Sequence, residues 1–496
     1  VCRRHIETAQ RACGLGRARR AVAARARAGP RCAGSGARVP GRSVRRPAPG
    51  AYDRGVPDRG HVHDVLIIGA GPAGSSCAYW LAESGWDVAV VEKKRFPREK
   101  TCGDGLTPRA VRQLADMGLE DALAGAHRFR GLRAYGFGRS VDLDWPDHPH
   151  FPNYGYTITR HDLDGLVADR AVKAGATLHQ DTEARAPVLA DGVRLAAAGN
   201  GSSLPPAPGG SGQGIPTCRG VVVVDRASGV EREIRARYLV VADGSNSRIG
   251  RVLGTGRDRD LPMGMALRGY YRSPRHDDTY IESHLDIRDH DGMVVPGYGW
   301  IFPMGDGRVN VGVGLLSTDK RWKGVNTTRL LEAFVEWAPS SWGLSPETAC
   351  GPPTGGKLPM GLSVGPRSGG NVVVAGDAAG GINPFNGEGI SYGYETGRFA
   401  AVAVAGALAG GGPAALADYD RAVEAAYGDY FKVADSFVNL ISNPAAMRLC
   451  VSIGMRSRAF MAELLRIMAN LMRGPDSGVA ESAYHALLVA ARHIPD

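Results

Sequence analysis

The chain has 496 residues, 43% apolar and 22% charged, a composition that fits a folded protein of more than one structural unit. Its net charge of +10 is concentrated at one end: residues 1–60 hold 15 Arg, no Lys and three acids, leaving 45 basic and 47 acidic residues in 61–496. A near-neutral body excludes nucleic-acid binding by a basic domain as its default role, and with no run of 18 apolar residues no membrane-spanning helix is expected.

Residues 1–60 are rich in Arg, Ala, Gly and Pro and have few aliphatic side chains to bury, so they are expected to be disordered. Arg without Lys reads as a translated GC-rich leader upstream of the true start. A targeting peptide and a basic RNA- or membrane-binding arm are the alternatives. Beyond the tail, Cys77, Cys102, Cys218, Cys350 and Cys450 are far apart, without a CxxC pair or metal-ligand spacing. Neither a disulfide framework nor a metal site is expected, and the usage points to a cytoplasmic protein.

The first strong signal starts at Asp64. Asp64-Val-Leu-Ile-Ile68 reads as a buried parallel strand running into Gly69-Ala-Gly71-Pro-Ala73-Gly74, then a helix over 75–83 and a second strand, Asp87–Glu92. This strand–GxGxxG–helix–strand–acid order predicts a dinucleotide fold. Gly69 permits the tight turn, Gly71 lets backbone approach a pyrophosphate, and Gly74 allows close helix–strand packing. The helix N-terminus supplies N–H donors, Ala73 of the turn is a further cofactor-binding candidate, and Glu92 can accept hydrogen bonds from an adenosine ribose.

Two later strands end in polar turns: Tyr238–Asp243-Gly244, and Asn371–Gly376-Asp377-Ala-Ala-Gly380 followed by Gly-Ile-Asn-Pro384-Phe-Asn-Gly387-Glu-Gly389-Ile390. With these three motifs in order, residues 62–410 resemble the flavoprotein hydroxylase-like superfamily. The resemblance implies FAD, with the Gly376-Asp377 turn holding the ribitol chain and the Gly389 and Ile390 backbone N–H groups near the flavin pyrimidine edge. A helix N-terminus there suits the negative charge of reduced flavin.

Between these motifs, Lys100-Thr-Cys102-Gly103-Asp-Gly105 resembles the KxCGxG loop of geranylgeranyl reductase-like flavoenzymes, where it lies against the flavin. Pro296-Gly-Tyr298-Gly-Trp300-Ile-Phe302-Pro303 resembles the aromatic signature of the same family, with one residue fewer between proline and tyrosine. Tyr298, Trp300 and Phe302 alternate along a strand and share one face. They read either as an aromatic wall for a long apolar substrate or as a core stripe. Cys102 reads as a flavin contact and not as a nucleophile, against the alternative of inert packing. Arg160 starts a helix and resembles the FAD-contacting arginine of the superfamily. A solvated helix-start arginine is the other reading.

Residues 199–216 read as a flexible Gly/Ser/Pro insertion, and 255–355 as mostly strands. The expected fold is therefore α/β: a Rossmann-like FAD-binding domain (61–254 and 356–415), an inserted, mostly antiparallel substrate sheet (255–355) and C-terminal helices (416–496). In one amphipathic helix over 448–473, Arg448, Arg456, Arg458, Glu463, Arg466 and Arg473 fall on one face. Phe460, Met461, Leu464, Leu465, Ile467, Met468, Leu471 and Met472 fall on the other. Such a helix either lies on the inner face of an anionic membrane or packs on the domain.

The expected activity is FAD-dependent reduction of isoprenoid carbon–carbon double bonds in a prenylated lipid, quinone or diphosphate, with Cys102, Tyr298 and Trp300 lining the reacting site and the proton donor unassigned. No second GxGxxG unit is evident, so the reductant is expected to be NAD(P)H docking transiently or a separate electron donor. The alternatives are a flavin monooxygenase or halogenase of an aromatic or polyketide, and a non-catalytic membrane-associated FAD-binding protein.

Overall fold

The computed structural model describes residues 60–195, 214–318, 322–473 and 478–492. The Arg-rich segment and most of the Gly/Ser/Pro insertion lie outside them.

The strand Val62–Ile68 is apolar because both its faces are covered, and Val65, Leu66 and Ile67 are fully buried. It pairs in parallel with Val88–Val91 on one side and Glu231–Val241 on the other. Thr177–His179 and Val372–Val374 extend the parallel sheet outward, while Cys218–Asp225 and Thr182–Leu189 add antiparallel strands. His61 Nε2 and His63 Nδ1 both reach Asp87 Oδ2, at 2.8 and 3.0 Å, which ties the first strand's beginning to the second.

The helix Pro72–Glu83 starts three residues earlier than the sequence suggests, because proline suits a first helical turn and Gly71 can cap it. It packs against the helices Arg160–Ala174 and Ile390–Gly406. The second of these contacts is a glycine contact: a Cβ on Gly397 would stand 2.2 Å from the Ala73 carbonyl oxygen. All three helices bury apolar side chains on one face of the parallel sheet.

A second sheet of seven strands runs in the order Thr354–Pro359, Met263–Arg272, Arg308–Leu316, Gly297–Pro303, Tyr280–His284, Gly131–Gly136 and Arg139–Asp144. Every pairing is antiparallel except that of Tyr280–His284 with Gly131–Gly136. The sheet thus draws on three separate chain segments. Its period-2 alternation sends Ile301, Val309, Val311 and Val313 to one face, under Leu330, Leu331 and Phe334 of the helix Thr327–Trp337.

The C-terminal part holds the helices Asp429–Ile441, Pro444–Gly454, Arg458–Met468 and Val479–Arg492. The single helix expected over 448–473 is therefore broken. The chain turns after Gly454, and the Ser457 hydroxyl accepts the Phe460 N–H at 3.2 Å to start a new helix. Two of its arginines are engaged within the protein as well: Arg458 meets Asp144 at 3.1 Å, and Arg473 donates to the Asp147 carbonyl at 2.6 Å. Met461 and Leu465 pack on Phe129, Leu143 and Trp145 of the second sheet's flank. Among the described residues, no helix is long and apolar enough to cross a membrane.

Candidate active site

A cavity of about 980 Å³ lies between the two sheets. The parallel strands end at it, and two helix N-termini open into it. At Pro72–Glu83 the cap is Gly71, with no side-chain cap and no acid in the first turn, and at Ile390–Gly406 the cap is Gly389, again with neither. Unpaired N–H groups with the positive end of a helix dipole fit a pyrophosphate at the first and an anionic ring edge at the second.

The glycines have separate tasks. Gly69 has φ +98°, and a Cβ there would meet the Ala242 carbonyl oxygen at 2.4 Å. A Cβ on Gly74 would lie 1.8 Å from the Gly69 oxygen, so this residue shapes the turn from behind. At Gly71 an added Cβ meets nothing within 4 Å, which leaves a cradle that a side chain would fill. Glu92, at the end of the second strand, accepts N–H groups from Ala70 and Lys94 and faces Arg98 at 3.4 Å.

The Lys100–Gly105 loop crosses the middle of the cavity and is tied on both sides. The Cys102 carbonyl accepts from Arg268 Nε at 3.1 Å and Asn310 Nδ2 at 2.9 Å. The Asp104 carboxylate accepts from the Tyr270 hydroxyl at 2.5 Å, Asn310 Nδ2 at 2.9 Å and the Arg160 backbone N–H at 3.3 Å. The Asp104 carbonyl accepts from Ile158. Burial pushes the Asp104 carboxyl up to about 6, although these donors and the arginines oppose it. Burial also raises the Cys102 thiol; Arg160 acts against that and Asp104 adds to it. Burial disfavours the Arg160 charge, but Asp164, paired at 2.6 and 2.7 Å, raises Arg160 well above its ordinary value.

The aromatic strand forms the opposite wall. Tyr298, Trp300 and Phe302 share the cavity face, with neighbouring rings 5.8 and 6.3 Å apart. Trp300 Nε1 donates to Asn310 Oδ1 at 2.9 Å, and Tyr298 donates to the Asn386 carbonyl at 2.6 Å. A Cβ on Gly103 or Gly105 would meet the Phe302 ring at 3.2 or 3.1 Å, so the loop needs glycine to lie under it. Beyond this wall the lining is apolar and comes from the C-terminal helices, including Met461, Leu464, Leu465 and Met468.

Of the residues predicted from sequence, Gly69, Gly71, Ala73, Glu92, Cys102, Gly103, Gly105, Arg160, Tyr298, Trp300, Gly376, Asp377, Gly389 and Ile390 all border this one cavity, and Gly74 lies behind the turn. Sequence reasoning missed Asp104, Arg268, Tyr270, Asn310 and Glu388. Asp104 and Glu388 stood inside motifs read for their glycines and cysteine. Arg268, Tyr270 and Asn310 carry no local signal, because the sheet brings them together from strands far apart in the chain.

A family profile described as the FAD binding domain matches residues 62–198. The chain is 41% identical over 414 residues to menaquinone reductase of Mycobacterium tuberculosis, covering 83% of this chain and 92% of the relative. A solved geranylgeranyl bacteriochlorophyll reductase-like protein from Thermoplasma acidophilum superposes with TM-score 0.66 at 20% identity, over 86% of this chain and 99% of that one. A flavin-dependent brominase superposes with TM-score 0.64 at 19% identity, over 87% and 99%, so the fold also serves other flavin chemistry. The uncapped helix ends, the glycine cradle and the strand-end acid fit the cofactor those comparisons share. The protein is an FAD-dependent oxidoreductase, and the chain belongs to the geranylgeranyl reductase family, menaquinone reductases included.

Proposed function

We propose that the chain reduces a carbon–carbon double bond in the isoprenoid part of a prenylated lipid or quinone. The observation that carries this reading is the apolar half of the cavity, walled by Tyr298, Trp300 and Phe302 on one side and by Met461, Leu465 and Met468 on the other. Such a wall excludes water and aligns a flexible chain, and an isolated alkene needs both because it is a poor electrophile. FAD, when bound and reduced by NAD(P)H or a separate electron donor, supplies the hydride. Gly69, Gly71 and Ala73 would hold its pyrophosphate, Glu92 its ribose, Asp377 its ribitol, and the Gly389 and Ile390 N–H groups its pyrimidine edge. Cys102, Gly103 and Gly105 would lie against the flavin, with Arg160 behind the loop.

We propose further that lipid is met at the cavity mouth. Leu449, Ile453 and Phe460 border the cavity yet are 60, 59 and 56% exposed, and Arg448 and Arg456 beside them are exposed too. Apolar side chains flanked by cations suit an anionic bilayer surface. Replacing all three apolar residues with Ser is expected to abolish flotation with anionic liposomes while FAD content stays unchanged; undiminished flotation refutes the contact.

The reaction is tested by anaerobic reduction with dithionite followed by a polyprenyl quinone or geranylgeranyl diphosphate. The expected product is heavier by two hydrogens per double bond. Reoxidation by oxygen alone, with a product heavier by one oxygen atom, favours the monooxygenase reading instead.

A further inference from the structure

We propose that Glu388 is the acid that protonates the alkene; this rests on the reductase reading above. Glu388 borders the cavity immediately before the helix Ile390–Gly406. It lies beside the aromatic wall, since Tyr298 donates to the neighbouring Asn386 carbonyl and a Cβ on Gly387 would stand 3.4 Å from the Tyr298 hydroxyl.

The two carboxyl oxygens of Glu388 have unlike surroundings. Oε1 accepts the hydroxyls of Thr107 at 2.5 Å and Ser391 at 2.6 Å. Oε2 is shielded from water and has no hydrogen-bond partner. A carboxylate needs donor partners on both oxygens, and leaving one bare out of water is costly. A neutral carboxyl with its proton on Oε2 lowers that cost, because an uncharged oxygen is cheaper to leave without a partner than a charged one. Burial raises this carboxyl above the usual range; the Ser391 and Thr107 hydroxyls and Arg109 oppose the shift, and Glu395 adds to it. The other titratable groups facing it are Tyr298 and Tyr392, both kept as phenols by burial.

The other donors around the cavity are less suited. The Tyr298 hydroxyl hydrogen is committed to the Asn386 carbonyl. Both Asp104 oxygens accept hydrogen bonds, the pattern of a carboxylate. The Cys102 thiol is made a weaker acid by burial.

In the step, the π bond of the alkene breaks. One carbon takes a hydride from reduced FAD, and its neighbour takes the Glu388 proton. Two C–H bonds form, the flavin is oxidised by two electrons, and Glu388 is left as a carboxylate. Negative charge would leave the flavin as it arrives on Glu388, and Glu388 and the Gly389 and Ile390 N–H groups that would hold the flavin edge stand together at the N-terminus of one 17-residue helix. The charge beside that helix end is therefore the same before and after the reaction, so its dipole opposes neither state.

The test pairs infrared spectroscopy with single-turnover kinetics on the holoenzyme. At pH 7 the wild type is expected to show a neutral-carboxyl C=O band that is lost in Glu388→Gln and retained in Asp104→Asn. With FAD content equal, reoxidation of the reduced flavin by the isoprenoid should slow about 100-fold or more in Glu388→Gln. Glu388→Asp, which keeps an acid, should recover part of that rate and keep a neutral-carboxyl band. A band unaffected by Glu388→Gln, or reoxidation as fast as in the wild type, overturns the assignment. A wild type that transfers nothing to any isoprenoid overturns the reductase reading and this role with it.

Discussion

The glycines divide into those that shape the protein and those that make room for the cofactor, and substitution should separate the two. Gly74→Ala forces a Cβ to 1.8 Å from a carbonyl oxygen, so it is expected to lower Tm and abolish FAD retention together. Gly71→Ala meets no protein atom and should leave the Tm of the apoprotein unchanged while reducing the FAD-to-protein ratio. Asp104 gives a pH signature. Its folded carboxyl titrates near 6, above the ordinary 3.8, so the folded state binds the extra proton between those values. Stability present below about 3.8 is therefore lost as pH rises through about 6, by about 3 kcal/mol. Urea midpoints measured from pH 4 to 7 should fall because of this group, and Asp104→Asn should flatten that component. The glycine motif and the Cys102 loop were legible in the sequence because each is a local backbone pattern, and both border the cavity. The acids were not, because burial and partners from distant strands decide their chemistry.

At the level of elements, the strand–turn–helix units were readable from a run of β-branched residues ending in glycines, and the aromatic strand from its period-2 spacing. The C-terminal helix was misjudged at one point. Its hydrophobic periodicity continues across residues 455–457, which hid the break, although Gly454 and the capping Ser457 were both visible. The break re-aims the second helix so that Met461 and Leu465 cover the sheet flank and Phe460 stays at the mouth. Ser457→Ala removes the hydroxyl that accepts the Phe460 N–H and should cost about 1 kcal/mol, read from urea denaturation. Because this helix also walls the cavity, isoprenoid turnover should decline with it more than FAD content does.

For the whole molecule, the sequence correctly suggested two sheets and a helical end, yet it could not show that the second sheet recruits Gly131–Gly136 and Arg139–Asp144. Pairing between segments so distant in the chain is settled by packing, which leaves no local pattern. FAD in this cavity would touch the parallel sheet, the Lys100–Gly105 loop and the second sheet's wall at once. Saturating FAD is therefore expected to shift one cooperative thermal transition upward, by about 2.7 kcal/mol at 100 times its Kd. Two separate transitions, only one of them responsive to FAD, would show that the sheets unfold independently.

Asn310 has a consequence for any attempt to change what the enzyme accepts. It orients Trp300 on the aromatic wall of the cavity and, with its other end, holds the Cys102 carbonyl and Asp104 of the loop. Grafting a relative's second sheet onto this chain would therefore also alter the anchorage of the Lys100–Gly105 loop, which we propose lies against the flavin. The transplantable unit is the sheet together with residues 100–105, and a chimera that exchanges the sheet alone should emerge deficient in FAD before its selectivity can be measured.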